Sequence, residues 1–311
     1  MASRLTEQPE SSPFVRHRDY DAASMPGRTC VVCARETPSA AVEHTRVRSN
    51  VRVFRNEKFG IWRCSSCASI HAEEEVDLGF YYAQYPFHEL PMDWRLRSLY
   101  RNLLARLRQA GLRPSHKILD YGCGGGHLVR YLSSAGYSAR GFDEYSPRFS
   151  DRSVLDDRYD CIVSQDVIEH VATPHALLAE FAQLTAPGAL IAVGTPNAAA
   201  IDLSRPEDFV HTLHAPYHRH ILSRDALITA GRQQGWSLER FYPTMYSNTR
   251  LPFLNEKFYL FYTRITDDTL DALLEPVRVG ALLLRAPLTL FWGLFGSFFS
   301  RGTDVMAVFR K

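Results

Sequence analysis

The chain has 311 residues, of which 45% are hydrophobic and 23% charged, a balance that suits a soluble globular protein of one large domain, or a medium domain plus a small one. Its 36 basic and 34 acidic residues leave a net charge of +2, which gives no electrostatic case for nucleic acid as a partner.

Residues 1–27 are polar and rich in Ser, Pro and Arg, with no apolar run, and read as a disordered tail on a cytoplasmic protein. Four of the six cysteines follow in two pairs, Cys30-x-x-Cys33 and Cys64-x-x-Cys67. In a reducing compartment such pairs hold metal more often than they form disulfides. Two knuckles of this kind can set four thiolates around a structural Zn2+, and a disulfide within each pair is the alternative. The stretch from Val42 to Trp62 reads as short strands, so residues 28–72 are expected to form a zinc ribbon. So small a fold needs its metal to stand. Residues 73–115 are read as a linker and an amphipathic helix. The linker carries Tyr81, Tyr82, Tyr85 and Phe87. Asp93 can cap the helix and Gly111 can end it, while Leu96, Leu99, Tyr100, Leu103, Leu104 and Leu107 share one face.

From Lys117 onward short apolar strands alternate with helices, ending in the strand TDVMAVFRK. The alternation predicts an α/β domain over 116–311, a doubly wound, mainly parallel Rossmann-like sheet with helices on both faces. Its first strand runs into a glycine turn, Asp120-Tyr-Gly122-Cys123-Gly124-Gly-Gly126. Glycines let the backbone turn sharply and approach a ligand. Dinucleotide-binding proteins use such turns too. Asp120 separates the alternatives, because a carboxylate suits an ammonium and not a pyrophosphate. S-adenosylmethionine (SAM) has an ammonium at its amino-acid end. Asp143, with Glu144 after it, ends the next strand, where a carboxylate can accept from both ribose hydroxyls.

ILDYGCGGG resembles the first motif of the class I SAM-dependent methyltransferases. GFD at 141–143, YDCIVSQDVIEHV and GALIAVGTPN resemble three further segments of that family. The resemblance implies the family's fold, SAM as cofactor and methyl transfer as the activity. It departs between Asp143 and Tyr159, where the family fits a helix, a strand and an adenine-contacting acidic loop into more residues than this chain has. The third strand is expected to be reduced or absent, with Asp156 or Asp157 as the acidic candidates.

Asp166-Val-Ile-Glu169-His170 resembles the segment that opens the active-site helix in ubiquinone-biosynthesis O-methyltransferases. His170 is the candidate general base for a hydroxyl acceptor, and Asp166 the candidate to help hold the cofactor. A pocket-wall role for His170 is the alternative. A second histidine group, His211, His214, His218 and His220, offers a substrate-pocket residue, His218 or His220 first, with His218 a catalytic candidate, or else a metal site or a plain polar loop. The cysteine layout resembles bacterial methyltransferases with an N-terminal zinc-binding module.

Residues 245–302 are an apolar insertion before the last strand. Its uncharged run from Ala286 to Ser300 is too short to span a membrane and reads as a lid or a membrane-surface helix. The expected activity is O-methylation of a hydroxyl on a small natural-product or glycan-related metabolite, bulky or lipophilic if the insertion covers it, with N- or C-methylation, a non-catalytic SAM-binding scaffold and a nucleotide-sugar or nicotinamide enzyme as rivals. The oligomeric state is not legible.

Overall fold

The computed structural model describes residues 27–84 and 92–311. The tail expected at 1–27 therefore falls almost wholly outside the described residues, as do Tyr85 and Phe87. The N-terminal part carries β1 (Arg28–Thr29), β2 (Glu36–Thr37), β3 (Glu43–Arg48), β4 (Lys58–Arg63) and β5 (Ile70–Ala72). A short helix α1 (Leu78–Tyr82) and the long helix α2 (Trp94–Gln109) follow. The Asp93 carboxylate accepts from Leu96 N–H at the head of α2, and Gly111 takes a left-handed φ of 102° just beyond its end.

The main domain then runs β6 (Lys117–Tyr121), α3 (His127–Ser134), β7 (Ser138–Phe142), β8 (Tyr159–Gln165), α4 (Pro174–Leu184), β9 (Thr185–Pro196), α5 (Val210–Leu213), β10 (His220–Ile221), α6 (Arg224–Gln233) and β11 (Ser237–Tyr242). The insertion supplies α7 (Glu256–Ile265), α8 (Val279–Leu284) and α9 (Ala286–Phe295), and β12 (Asp304–Arg310) closes the sheet.

Six strands form the main sheet in the order β11-β12-β9-β8-β6-β7. β7, β6, β8 and β9 pair in parallel, and β12 lies antiparallel between β9 and β11. Buried parallel strands are covered on both faces, and this one is. Leu103 and Leu107 of α2 and Leu128 and Leu132 of α3 pack on Ile118, Val163 and Val308. On the other face, Leu178 and Phe181 of α4 and Leu227 of α6 pack on Leu119, Ile162 and Phe309. This is the α/β architecture that the alternation of elements predicts. Between β7 and β8 there is a 3₁₀ turn, Arg152–Asp156, and no strand, so β7 is the sheet edge.

The boundary drawn at residue 72 does not separate two independent units. β5 pairs antiparallel with β10, so a four-stranded sheet, β10-β5-β4-β3, takes its last strand from the main domain. Phe54, Phe59, Ile61 and Ile70 share one apolar core with Ile201, Phe209, Tyr217 and Ile221. Arg63 donates to the carbonyls of Ala198, at 2.8 Å, and Ile201, at 2.6 Å. The N-terminal module is thereby fixed over the outer end of β9, beside the loops that build the site.

Candidate functional site

The carboxyl ends of β6, β7, β8 and β9 gather the chemistry. At the end of β6 the glycine turn needs left-handed backbone, with φ of 80°, 50° and 70° at Gly122, Gly124 and Gly126. Two of these positions are also sterically closed. A Cβ on Gly122 would come within 2.2 Å of Val167, and one on Gly126 within 2.2 Å of Phe149. A Cβ on Gly124 would meet nothing within 4 Å, so the turn faces open space there. The Asp143 carboxylate holds the turn in shape, accepting from Gly124 N–H at 2.8 Å and Tyr145 N–H at 2.9 Å. Glu144 beside it is exposed. Cys123 turns its sulfur back toward Gly141 of β7, and burial raises its thiol pKa.

Asp120 sits inside this edge, 5% exposed. Burial, and then the nearby Asp143 charge, push its carboxyl up to about 8. The rings of Tyr100 and Tyr246 stack with centroids 6.2 Å apart, and burial, with a smaller push from Asp120, raises the pKa of both phenols. Asp166, at the end of β8, has a left-handed φ of 56°. One face of it meets solvent while protein crowds the rest, and the crowding raises its carboxyl to about 7. Beside it, the buried Oε1 of Gln165 has no hydrogen-bond partner. Asp304, at the head of β12, is raised to about 8 by burial and by Glu256 and Asp166. Tyr246, Gln165 and Asp304 escape the sequence reading. Only Asp304 carries a signal, as an acidic residue opening an otherwise apolar strand.

Glu169, His170 and His218 converge behind this edge. Their ligand atoms lie within 4.8 Å of one another, close enough to share one ion. Glu169 is fully buried, with Oε2 accepting from Thr195 Oγ1 at 3.0 Å and Oε1 without a hydrogen bond, 3.9 Å from His218 Nε2. His170 Nδ1 lies 3.0 Å from the Tyr217 carbonyl and 2.9 Å from the Tyr82 hydroxyl. That anchors one ring nitrogen and leaves Nε2 for other work. His218 is anchored likewise, with Nδ1 3.0 Å from the Thr212 carbonyl. Burial lowers the His170 pKa to about 4 and takes His218 well below its ordinary value.

The other three histidines of the group have partners of their own, although the His214 ring still packs 4.9 Å from that of His218. His211 meets Asp268 at 3.2 Å, and His214 meets Asn50 at 2.7 Å. His220 lies in β10, with its Nδ1 3.0 Å from His71 Nδ1. Asp157 pairs with Lys117 and Arg140, toward the opposite end of the sheet from Asp143.

All four paired cysteines come together, with ligand atoms within 4.8 Å of one another. Sγ–Sγ distances are 3.6 Å for Cys30–Cys67 and for Cys33–Cys64. Four thiolates about 2.3 Å from a zinc ion stand roughly 3.8 Å apart, so the set fits a tetrahedral site. The two knuckles repeat one geometry. Ala34 and Ala68 take left-handed φ of 57° and 59°, and the N–H groups of Val32 and Ser66 each donate to a sulfur at 3.4 Å. No disulfide joins any of the six cysteines in the structure.

A family described as a methyltransferase domain matches residues 92–240. Among curated proteins, the chain is 30% identical over 159 residues to the ubiquinone biosynthesis O-methyltransferase of Maricaulis maris, covering 42% of this chain and 63% of that protein. It is 31% identical over 119 residues to the same-named enzyme of Cereibacter sphaeroides, covering 31% and 46%. The matches thus span less than two thirds of these relatives' length. Solved structures similar to it include a SAM-dependent methyltransferase from Archaeoglobus fulgidus, at 16% identity and a TM-score of 0.43, covering 76% of this chain and 100% of that one.

The buried groups predict a pH dependence for the ligand-free protein. Asp120 and Asp304 titrate higher folded than unfolded, so the folded state holds more protons and their contribution to stability declines as pH rises toward about 8. His170 titrates lower folded than unfolded, so its contribution is lost as pH falls from roughly 6.5 toward about 4. Of these three groups, only the two carboxyls act above roughly pH 6.5. The melting temperature is expected to fall between about pH 6.5 and 8.5 and to fall less in Asp120→Asn. Scanning fluorimetry across that range checks it, and a flat or rising wild-type curve would refute the assignment.

Proposed function

We propose that this chain is a SAM-dependent methyltransferase that methylates a hydroxyl group of a small molecule. The observation that carries the reading is Asp120, a buried carboxyl beside an open glycine turn. It welcomes a cation and repels a pyrophosphate. The matched methyltransferase-domain family supports the activity, and the names of the curated relatives support oxygen as the acceptor atom.

SAM would supply a methyl group already activated on a sulfonium. The chain's own residues do the rest. Asp120 accepts hydrogen bonds from the ammonium end. Asp143 keeps a lone pair on each oxygen beyond those holding Gly124 and Tyr145, and these suit the ribose hydroxyls, with Glu144 adjacent. Gly122, Cys123, Gly124 and Gly126 bring the backbone close, and Asp166 closes the cofactor's other side. The phenol rings of Tyr100 and Tyr246 give a cation an aromatic wall.

His170 is the group we assign to take the acceptor's proton at Nε2, with His218 beside it. A pKa near 4 makes the isolated ring a weak base. Glu169, held well above its usual range by burial and by Asp166, keeps its own proton and sets a neutral carboxyl beside the two rings. Holding the acceptor in line near the methyl group supplies much of the rate. The aromatic residues of the insertion, Phe253, Phe258, Tyr259 and Phe261, suit a bulky or lipophilic acceptor. Isothermal calorimetry with SAM, S-adenosylhomocysteine and NAD tests the cofactor assignment. SAM and its product should bind, Asp120→Asn should weaken them by about 10- to 100-fold, and His170→Ala should leave them nearly unchanged. Binding of NAD alone would overturn the reading.

The four cysteines fit a structural zinc ion, which we assign to Cys30, Cys33, Cys64 and Cys67. It would hold β1, β2 and the β4–β5 turn together. Elemental analysis of the purified chain should give about one zinc per molecule. Cys64→Ser should lose most of it, and a variant that keeps full metal would exclude the four-cysteine site.

A further inference from the structure

Between Pro276 and Thr303 the chain has no acidic residue and three arginines, Arg278, Arg285 and Arg301. The apolar side chains of this stretch face outward. Leu284 is 86% exposed and Phe298 68%, and Val279, Leu283, Leu290 and Phe295 are each more than half exposed. They form one patch. Phe291 meets Phe295 and Phe299 with ring centroids 5.9 and 5.6 Å apart. Monomeric proteins seldom leave so large an apolar surface in water unless something covers it.

The inner side of the insertion is tied down. Phe253 N–H donates to Gly293 carbonyl at 2.8 Å, and Asn255 donates to Trp292 carbonyl at 3.0 Å. Its acidic groups turn toward the N-terminal module, where Asp268 pairs with Arg48 and Asp267 with Arg52, each at 2.5 Å. The insertion is therefore sorted by charge. Its acids face protein or pair with Arg278, and its outer surface offers apolar side chains with Arg285 among them. Arg250 adds to these, its guanidinium 5.9 Å from the Phe298 ring centre.

We propose that α8, α9 and the turn through Phe299 dock this protein on an anionic lipid bilayer. Among the described residues no helix is long and apolar enough to cross a membrane, so the contact is interfacial. Leucine and phenylalanine enter the headgroup boundary, and the arginines meet anionic headgroups. A second copy of the chain suits the patch less well, because a two-fold contact sets arginines against arginines. The insertion leaves the sheet after β11 and returns where Asp304 pairs with Pro196, at the carboxyl end of β9. The proposal concerns adsorption and stands apart from the methyl-transfer reading.

Vesicle flotation of the full-length protein tests it without SAM. With phosphatidylcholine vesicles containing phosphatidylglycerol, recovery in the floating fraction should exceed that with phosphatidylcholine alone by about tenfold or more, and added salt should reduce it. Leu284→Glu with Phe298→Glu should abolish flotation without lowering the melting temperature, because both side chains lie in solvent. Arg285→Glu should weaken flotation on anionic vesicles. No flotation, equal flotation on both lipids, or flotation retained by the double variant would each overturn the proposal. So would a concentration-dependent dimer that the double variant dissolves.

Discussion

Four carboxyl groups stand along or just behind one edge of the sheet; burial shifts them all, and like charge adds to it at Asp120, Glu169 and Asp304. Asp120 feels Asp143, Glu169 feels Asp166 and Asp304, and Asp304 feels Glu256 and Asp166. No lysine or arginine figures among the influences on these three or on Asp166. A buried carboxylate without a cation is unfavourable, so these groups either keep a proton or receive positive charge from a ligand. That constraint gives the site its character. In the proposed reading it favours a cationic cofactor over a pyrophosphate, and it keeps a proton on Glu169 beside His170.

The fold serves this edge. Parallel strands end together, so β6, β7 and β8 deliver Asp120, Asp143 and Asp166 to one place. The N-terminal module comes within reach because β10 completes its sheet. Through α1 it sends Tyr82 to His170, 88 residues away in sequence. The cysteine cluster is connected as well. Cys30 Sγ lies 3.2 Å from His71, which meets His220, and His220 lies 3.1 Å from the Ala172 carbonyl, just beyond His170. The cluster and the candidate base thus belong to one packed body.

Much of this was legible in the sequence, for physical reasons that differ by element. The central strands read as continuous apolar runs because both faces are covered, as at Leu190–Val193. The glycine turn read clearly because only glycine satisfies its backbone and its close contacts with Val167 and Phe149. The cysteine pairs read clearly because thiolates at that spacing have few other uses. What stayed hidden depends on contacts between distant segments. β10 is two residues long and has no period of its own, so its pairing with β5 leaves no local trace. The four histidines of HTLHAPYHRH look alike in sequence. Only the fold sends His218 to Glu169, His220 to His71 and the other two to Asn50 and Asp268.

The central claim is that Asp120 is neutral in the empty protein and becomes a carboxylate when an ammonium arrives. Calorimetric titration with S-adenosylhomocysteine near pH 7, repeated in buffers of different ionisation enthalpy, counts the protons exchanged on binding. The account predicts the release of between about half a proton and one proton per site, and its loss in Asp120→Asn. Binding with no proton released, or with the same release in the variant, would contradict it.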